Sequence, residues 1–232
     1  MAKDYEREIK RLYRDMEIGT MDASISSQAR ILFNKLDDKW SKIFNSKSKS
    51  ITDKFISRVD RDATASLSYS LKELSGGLTI DFPDMPEALN DKVVAATVEN
   101  VALIRSIGSQ FHSRIQSNVM SSLQTGKGAL SVFDYIKKSF SMADRRAKII
   151  ADDQTRKLTT AINSERMKSV GVKQFEWMHS HGGAEPRELH VSYDGQIFDI
   201  DDPPIIDKRT GQRGLPGDAI NCRCRMRPVL TF

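Results

Sequence analysis

Apolar residues recur at steps of three and four through the first two-thirds of this chain, and that spacing admits little besides helix. Ile25, Ala29, Leu32, Leu36, Trp40 and Ile43 line one stripe. Ile51, Phe55, Val59, Ala63, Leu67, Leu71 and Leu74 line a second, which Gly76 and Gly77 end because glycine takes the left-handed closing conformation cheaply. Between them the polar run Asn45 to Ser50 reads as a joint, predicting two helices folded back as an antiparallel pair. An extended stretch, Leu78 to Phe82, leads into Pro83 and Pro86, the latter suited to a first helical position. A third stripe follows: Val94, Val98, Val101, Ile104, Ile107, Phe111, Ile115 and Val119. A helix over 87–120 would be about 50 Å long, either a spine for neighbouring subunits or a helix kinked near Gly108. Gly126-Lys127-Gly128 punctuates the chain, and Leu130, Phe133, Ile136 and Phe140 predict a short amphipathic helix. Another helix is expected from Met142 to about Val170, closed by Gly171.

The character then changes. Phe175-Glu176-Trp177-Met178-His179 is short, aromatic and glycine-bounded, as strands are, and two more strands are expected at Gln196–Ile200 and Arg225–Leu230. The fold class expected is α+β: an extended, mainly helical N-terminal region over 1–142, then a small α/β C-terminal module over 143–232 with a few short strands. The helical region offers interaction surfaces and the module a compact body.

Composition narrows the function classes. The longest unbroken aliphatic run is Val101-Ala102-Leu103-Ile104, so no membrane partner is expected. The first twenty residues alternate charges without an apolar stretch, and no secretory signal is expected there. Two cysteines two positions apart cannot staple a secreted scaffold. Residues 1–150 hold 24 Lys and Arg against 19 Asp and Glu, whereas 151–232 hold 12 of each. That excess permits contact with nucleic acid or an acidic protein surface. Lys137 with Lys138, and Arg145, Arg146 with Lys148, are the compact basic groups on helices that could make it. Arg223, Arg225 and Arg227 alternate along the last strand and would share one face. No stacking aromatics interleave them, against a dedicated single-strand reader.

Asn221-Cys222-Arg223-Cys224 is the sharpest local feature. Thiolates at this spacing can share a soft metal ion, with neutral imidazole as the usual complement. His190 with Cys222 and Cys224, and His179 or His181 as fourth ligand, would make a structural zinc site; two buried thiols beside the last strand are the alternative. His190 with Asp194, or His179 with Cys222, could be drawn as base and nucleophile, but no Gly-x-Ser-x-Gly elbow or phosphate loop accompanies them. Asp199, Asp201 and Asp202 suit a hard cation or an ordinary turn. No catalytic residue and no certain cofactor are assigned, and the chain is expected not to be an enzyme.

The module also carries an ordered pattern: Arg156, Asn163, Arg166; Phe175-Glu176-Trp177; Pro186-Arg187-Glu188-Leu189-His190; Asp194-Gly195-Gln196-Ile197-Phe198; Leu215-Pro216-Gly217-Asp218; Asn221-Cys222-Arg223-Cys224. Over roughly 143–232 this order resembles the phage Mu F-like head morphogenesis family, the minor head proteins of tailed phages. The resemblance implies a structural protein of the virion, at the head and portal vertex and in the host cytoplasm during assembly. It implies as partners the portal protein or the major capsid protein, in multiple copies around the portal, and packaged double-stranded DNA. Family patterns share the histidine and cysteines matching His190, Cys222 and Cys224, whereas His179 and His181 sit in a loop where many members have a shorter acidic turn. Trp177, Arg187, Asp194, Gly195, Phe198, Pro216, Gly217 and Asn221 would hold the module together: Asp194-Gly195 and Pro216-Gly217 as turns, Trp177 and Phe198 as the core beneath them. A protein whose main duty is binding the genome end, and a metal-dependent nuclease or hydrolase, are the alternatives.

Overall fold

The computed structural model describes residues 1–17, 24–82, 87–125, 129–182 and 185–230. Pro83, Pro86, the Gly126-Lys127-Gly128 interruption and two positions of the His179–Glu185 loop lie outside the described residues. The elements run α1 (Ala2–Glu17), α2 (Ile25–Leu74), α3 (Glu87–Thr125), α4 (Ala129–Ser169), β1 (Gln174–Met178), α5 (Glu188–Ser192), β2 (Ile197–Asp199), β3 (Ile205–Asp207), β4 (Gln212–Arg213) and β5 (Arg225–Val229). Long N-terminal helices followed by a few short antiparallel strands make this an α+β fold.

Two predicted interruptions are absent. The Asn45–Ser50 run does not turn back; it lies inside one continuous α2. It contains neither glycine nor proline, and serine costs a helix only tenths of a kcal/mol, of order 0.5. Its hydroxyls bond back to the preceding turn, Ser46 Oγ to the Ile43 carbonyl at 3.1 Å and Ser48 Oγ to that of Asn45 at 3.3 Å. Likewise α4 runs unbroken through Phe140 and Met142, so the change of sequence character near 142 falls inside a helix. Gly108 does not interrupt α3 either. A Cβ at Gly108 would come within 2.7 Å of the Phe44 ring, so glycine there permits close helix approach.

The helix ends follow the sequence closely. Ser24 Oγ accepts the Ser27 N–H at 3.3 Å and caps α2. Beyond Leu74 the Gly77 N–H reaches the Lys72 carbonyl at 2.8 Å, with Gly76 and Gly77 at φ 74° and 107°. Gly171, at φ 81°, closes α4 as the Val172 N–H returns to the Met167 carbonyl.

Packing divides the chain into two compact units, each built from two stretches: 1–51 with 100–148, and 52–99 with 149–232. The first unit has an aromatic core of Tyr5, Ile9, Phe33, Phe111, Ile115, Val119, Val132 and Ile136. Helix α1, whose apolar face is diluted by charges, supplies Tyr5, Ile9, Leu12 and Tyr13, all buried. The Tyr5 ring meets Phe111 edge-on at 5.4 Å, and its hydroxyl bonds His112 Nδ1 at 2.6 Å. Asp4 accepts from Lys39 at 2.5 Å and from the Trp40 indole at 3.2 Å. The Lys39 ammonium is the main cause holding the Asp4 carboxyl below its ordinary value.

The second unit has two clusters. One is helical, with Ile56, Val59, Ala63, Leu89, Leu158 and Ile162; the other gathers Leu67, Leu71, Met167, Phe175, Trp177, Ile206, Cys222 and Cys224. Arg166 donates to Asp60 at 3.0 Å, and Lys92 to the buried Glu165 at 2.7 Å. Here β1 is the central strand of a three-stranded antiparallel sheet ordered β2-β1-β5, with Phe175 opposite Phe198 and Pro228, and Trp177 opposite Met226. The hairpin β3-β4 stands beside it, unforeseen because its strands are two or three residues long in a Pro- and Asp-rich stretch.

The apolar stripes need small rotations. Ile51 is exposed while Thr52 and Ile56 are buried; Val94 and Val98 are exposed and Leu89 is buried; Leu130 and Phe140 are exposed while Val132 and Ile136 are buried. Over three dozen or more residues the face that meets a partner drifts, because 3.6 residues per turn does not repeat over whole steps of three or four. Among the described residues no helix is long and apolar enough to cross a membrane.

Candidate functional site

The second unit brings His190, Cys222 and Cys224 together. Each is buried, and their ligand-capable atoms all lie within 4.8 Å of one another. His190 sits in the short helix α5, against the edge of the Trp177 ring at a centroid distance of 5.2 Å. Its Nε2 lies 3.0 Å from the Ile206 carbonyl oxygen, which can only accept, so Nε2 carries a proton. Its Nδ1 lies 3.4 Å from Cys222 Sγ and 3.8 Å from Cys224 Sγ.

The cysteine strand is delivered by two turns. Gly217 takes φ 103°, and a Cβ there would fall 2.5 Å from Thr160 Oγ1, whose hydroxyl donates to the Pro216 carbonyl at 2.6 Å. Asn221 takes φ 57°, a conformation asparagine accepts better than most residues, and its N–H is held by Asp153 at 2.7 Å. The Cys222 N–H then closes onto the Ala219 carbonyl. Cys222 and Cys224 point inward and Arg223 outward, its guanidinium on the Gly182 carbonyl at 3.1 Å. Arg187 fixes the same loop through the Ile220 carbonyl at 2.9 Å.

The other motif residues are also architectural. The Asp194 carboxylate accepts the His179 N–H at 2.7 Å and faces His181 Nε2 at 2.9 Å. Those contacts, the His179 N–H first, hold it below its ordinary value. Gly195, at φ 75°, returns its N–H to the Trp177 carbonyl at 2.8 Å. Trp177 and Phe198 pack at 6.2 Å between ring centroids, with Tyr193 against both. Asn163 Oδ1 and Trp177 Nε1 are buried without a hydrogen-bond partner.

His179 and His181 do not join the trio. Their rings stack edge-on at 4.8 Å, and His181 is engaged by Asp194. His179 does share with the trio a cavity of about 360 Å³, also lined by Arg156 and Arg187. His190 pairs with Cys222 rather than Asp194. The acidic run is a turn: Asp199 accepts the Asp201 N–H at 2.8 Å, Asp201 pairs with Lys168 at 3.2 Å and Asp202 with Arg213 at 2.5 Å. Among the basic candidates, Lys137, Lys138, Arg145 and Lys148 are exposed, with Lys148 on Asp144 at 3.0 Å. Arg146 is half-buried and reaches Ser106 at 3.3 Å. Arg223, Arg225 and Arg227 are exposed at alternate positions, but Arg223 precedes the strand and Arg227 is bonded to Glu176.

Electrostatically each member of the trio is shifted by its neighbours. The Cys224 thiol beside Cys222, aided by His190 and opposed by burial, pulls Cys222 down to about 4. The same contact, with burial, pushes Cys224 up. Burial disfavours a charged His190, yet Cys222 and the Ile206 carbonyl outweigh it and raise the imidazole above its usual value. Such a trio can coordinate a soft cation, or hold a thiolate beside an imidazole.

Residues 113–227 match the family model described as Phage Mu protein F like protein, the family that the motifs of the C-terminal module resemble. The match begins inside α3, earlier than the module boundary at 143, and ends in β5. A protein of Haemophilus influenzae (strain ATCC 51907 / DSM 11121 / KW20 / Rd), described as uncharacterized, is 31% identical over 231 residues, 99% of this chain and 50% of its own length. The chain thus spans about half of that relative. No solved structure matches it.

Proposed function

We propose that the chain is a minor head protein of a tailed phage, acting in head morphogenesis as an architectural piece at the portal vertex and not as an enzyme. The family match over 113–227 carries this reading. The motif residues support it by the way they are used. Trp177, Phe198, Gly217, Asp194 and Asn221 are engaged in packing and in turns within their own unit, and His190 and both cysteines are buried. Portal protein or major capsid protein are the partners proposed, in several copies around the vertex, met in the host cytoplasm during assembly and retained in the virion. Imaging of intact particles around the tail-bearing vertex tests the proposal. Density for this chain beside the portal is expected; its absence from particles and their precursors overturns it. Co-purification with portal rings that survives nuclease separates protein docking from bridging by DNA.

Contact with packaged double-stranded DNA is a second duty favoured by charge. The first unit holds 19 Lys and Arg against 10 Asp and Glu, the second 17 against 21. If the first unit faces the genome, duplex binding falls steeply as salt rises, because neutralised phosphates release counterions. Charge reversal at the exposed Lys137, Lys138 and Arg145 then lowers affinity for all sequences alike.

A further inference from the structure

We propose that His190, Cys222 and Cys224 bind a zinc ion that staples the second unit, with three protein ligands and a fourth position open to the adjoining cavity. The inference is independent of the head-protein reading and stands or falls on the site itself.

Geometry carries it. Around a tetrahedral zinc, with Zn–S near 2.3 Å and Zn–N near 2.0–2.1 Å, a ligating nitrogen and sulfur lie about 3.6 Å apart. The His190 Nδ1 distances to the two sulfurs, 3.4 and 3.8 Å, bracket that value. The imidazole is also turned for the task. Its Nε2 proton is committed to the Ile206 carbonyl, so Nδ1 is the nitrogen that faces the two sulfurs. A backbone carbonyl on the far nitrogen is the usual device for orienting a metal-binding histidine.

A second observation comes from Trp177. Its indole N–H is fully buried and has no hydrogen-bond partner, an expense that folded proteins avoid. Cys224 is buried in the same core cluster as this indole. A thiol is a weak acceptor, whereas a metal-held thiolate is a strong one. A metal-held Cys224 would offer this donor a partner. The spacing disfavours the competing use of the pair, since a disulfide across one intervening residue closes a strained ring, and both thiols are free.

The staple has a purpose in this unit. The ligands come from a five-residue helix and from the loop before β5, where the Val191 N–H bonds the Arg187 carbonyl and the Cys222 N–H that of Ala219, both local contacts. A metal joining them converts binding free energy into folding free energy. His179 lines the cavity but is not among the three ligands, and the open fourth position would be left to solvent from that cavity.

The test uses the full chain purified under reducing conditions without chelator. Elemental analysis should find about one zinc per chain, matching a tetrahedral site, and cobalt exchanged into the site should show sulfur-to-cobalt charge transfer with intense tetrahedral bands. Iodoacetamide should modify neither cysteine until a chelator is added, and both afterwards, with a lower melting temperature. Cys222→Ser, Cys224→Ser and His190→Ala should each lower zinc affinity at least tenfold, while His179→Ala keeps full stoichiometry. Because those three variants could fail to fold, the alkylation and cobalt experiments on the unaltered chain decide. Folded protein that takes up neither zinc nor cobalt overturns the proposal. So does rapid alkylation of Cys222 alone in zinc-treated protein, which would mark a reactive thiolate–imidazole pair. Loss of zinc in His179→Ala would overturn the three-ligand assignment.

Discussion

The two units solve the burial problem differently. In the first, helices supply an aromatic core at regular intervals, and polar additions such as Tyr5 to His112 decorate a face that periodicity already defines. In the second, Trp177, Ile206, Cys222 and Cys224 meet from segments far apart in sequence, through turns that demand particular backbone angles. Regular packing spreads the stabilising free energy over interchangeable residues. Irregular packing concentrates it in a few positions with no substitute.

Substitutions put that contrast to the test. Trp177→Ala should have the largest effect, about 3–5 kcal/mol of unfolding free energy, read from the urea midpoint. If it costs no more than a half-buried apolar truncation in the first unit, stability in the second unit is not concentrated at Trp177. Two glycines give the next comparison. Gly217→Ala places a Cβ against Thr160 at positive φ and should cost about 2 kcal/mol or more. At Gly108→Ala the nearest atoms belong to the ring of half-buried Phe44, which can swing aside, and the change should cost about 1 kcal/mol or less. Equal melting temperatures for the two would refute the distinction.

Smaller effects follow. Tyr5→Phe removes a buried hydroxyl from His112 and should cost about 1–2 kcal/mol, measured calorimetrically. Glu165 gives a pH signature confined to the second unit. Burial raises its carboxyl's value, but Lys92 and Lys168 outweigh that and hold it below the ordinary 4.5. Its folded value is depressed, so the stabilisation is present above the ordinary carboxylate range and is lost as pH falls through the folded value. Glu165→Gln should therefore flatten the acid side of the stability profile, and an unchanged profile would remove this pair from the account. Ser46→Ala should change stability by less than about 0.5 kcal/mol and leave helix content unaltered. A large loss there would restore the hinge that the polar run suggested.

Legibility followed the same division. The helices, their glycine stops and the three strands of the larger sheet could be read because periodicity and left-handed closures are local properties. The run Asn45–Ser50 misled because polarity resembles a turn, whereas only glycine, proline or a competing cap breaks a helix, and none is present. The apolar face of α1 went unread because charges separate Tyr5, Ile9, Leu12 and Tyr13. Within the candidate site the Cys-x-Cys spacing drew attention to its chemistry, and His190 could be named with it. The other two histidines were equally good candidates on spacing; their separation depends on Asp194, fifteen residues from His179, capturing that loop. The orphan indole of Trp177 left no trace in the sequence.

The chain has two tryptophans, and the structure gives one to each unit: Trp40, half-buried beside Lys39, and Trp177, sealed against the His190 ring. Nature has thus placed an optical label in each half. An imidazole edge-on to an indole is an efficient quencher when protonated, so emission from Trp177 should brighten or dim with the state of the trio, while Trp40 keeps a steady light. Replacing either with phenylalanine turns the remaining one into a private gauge of its own unit.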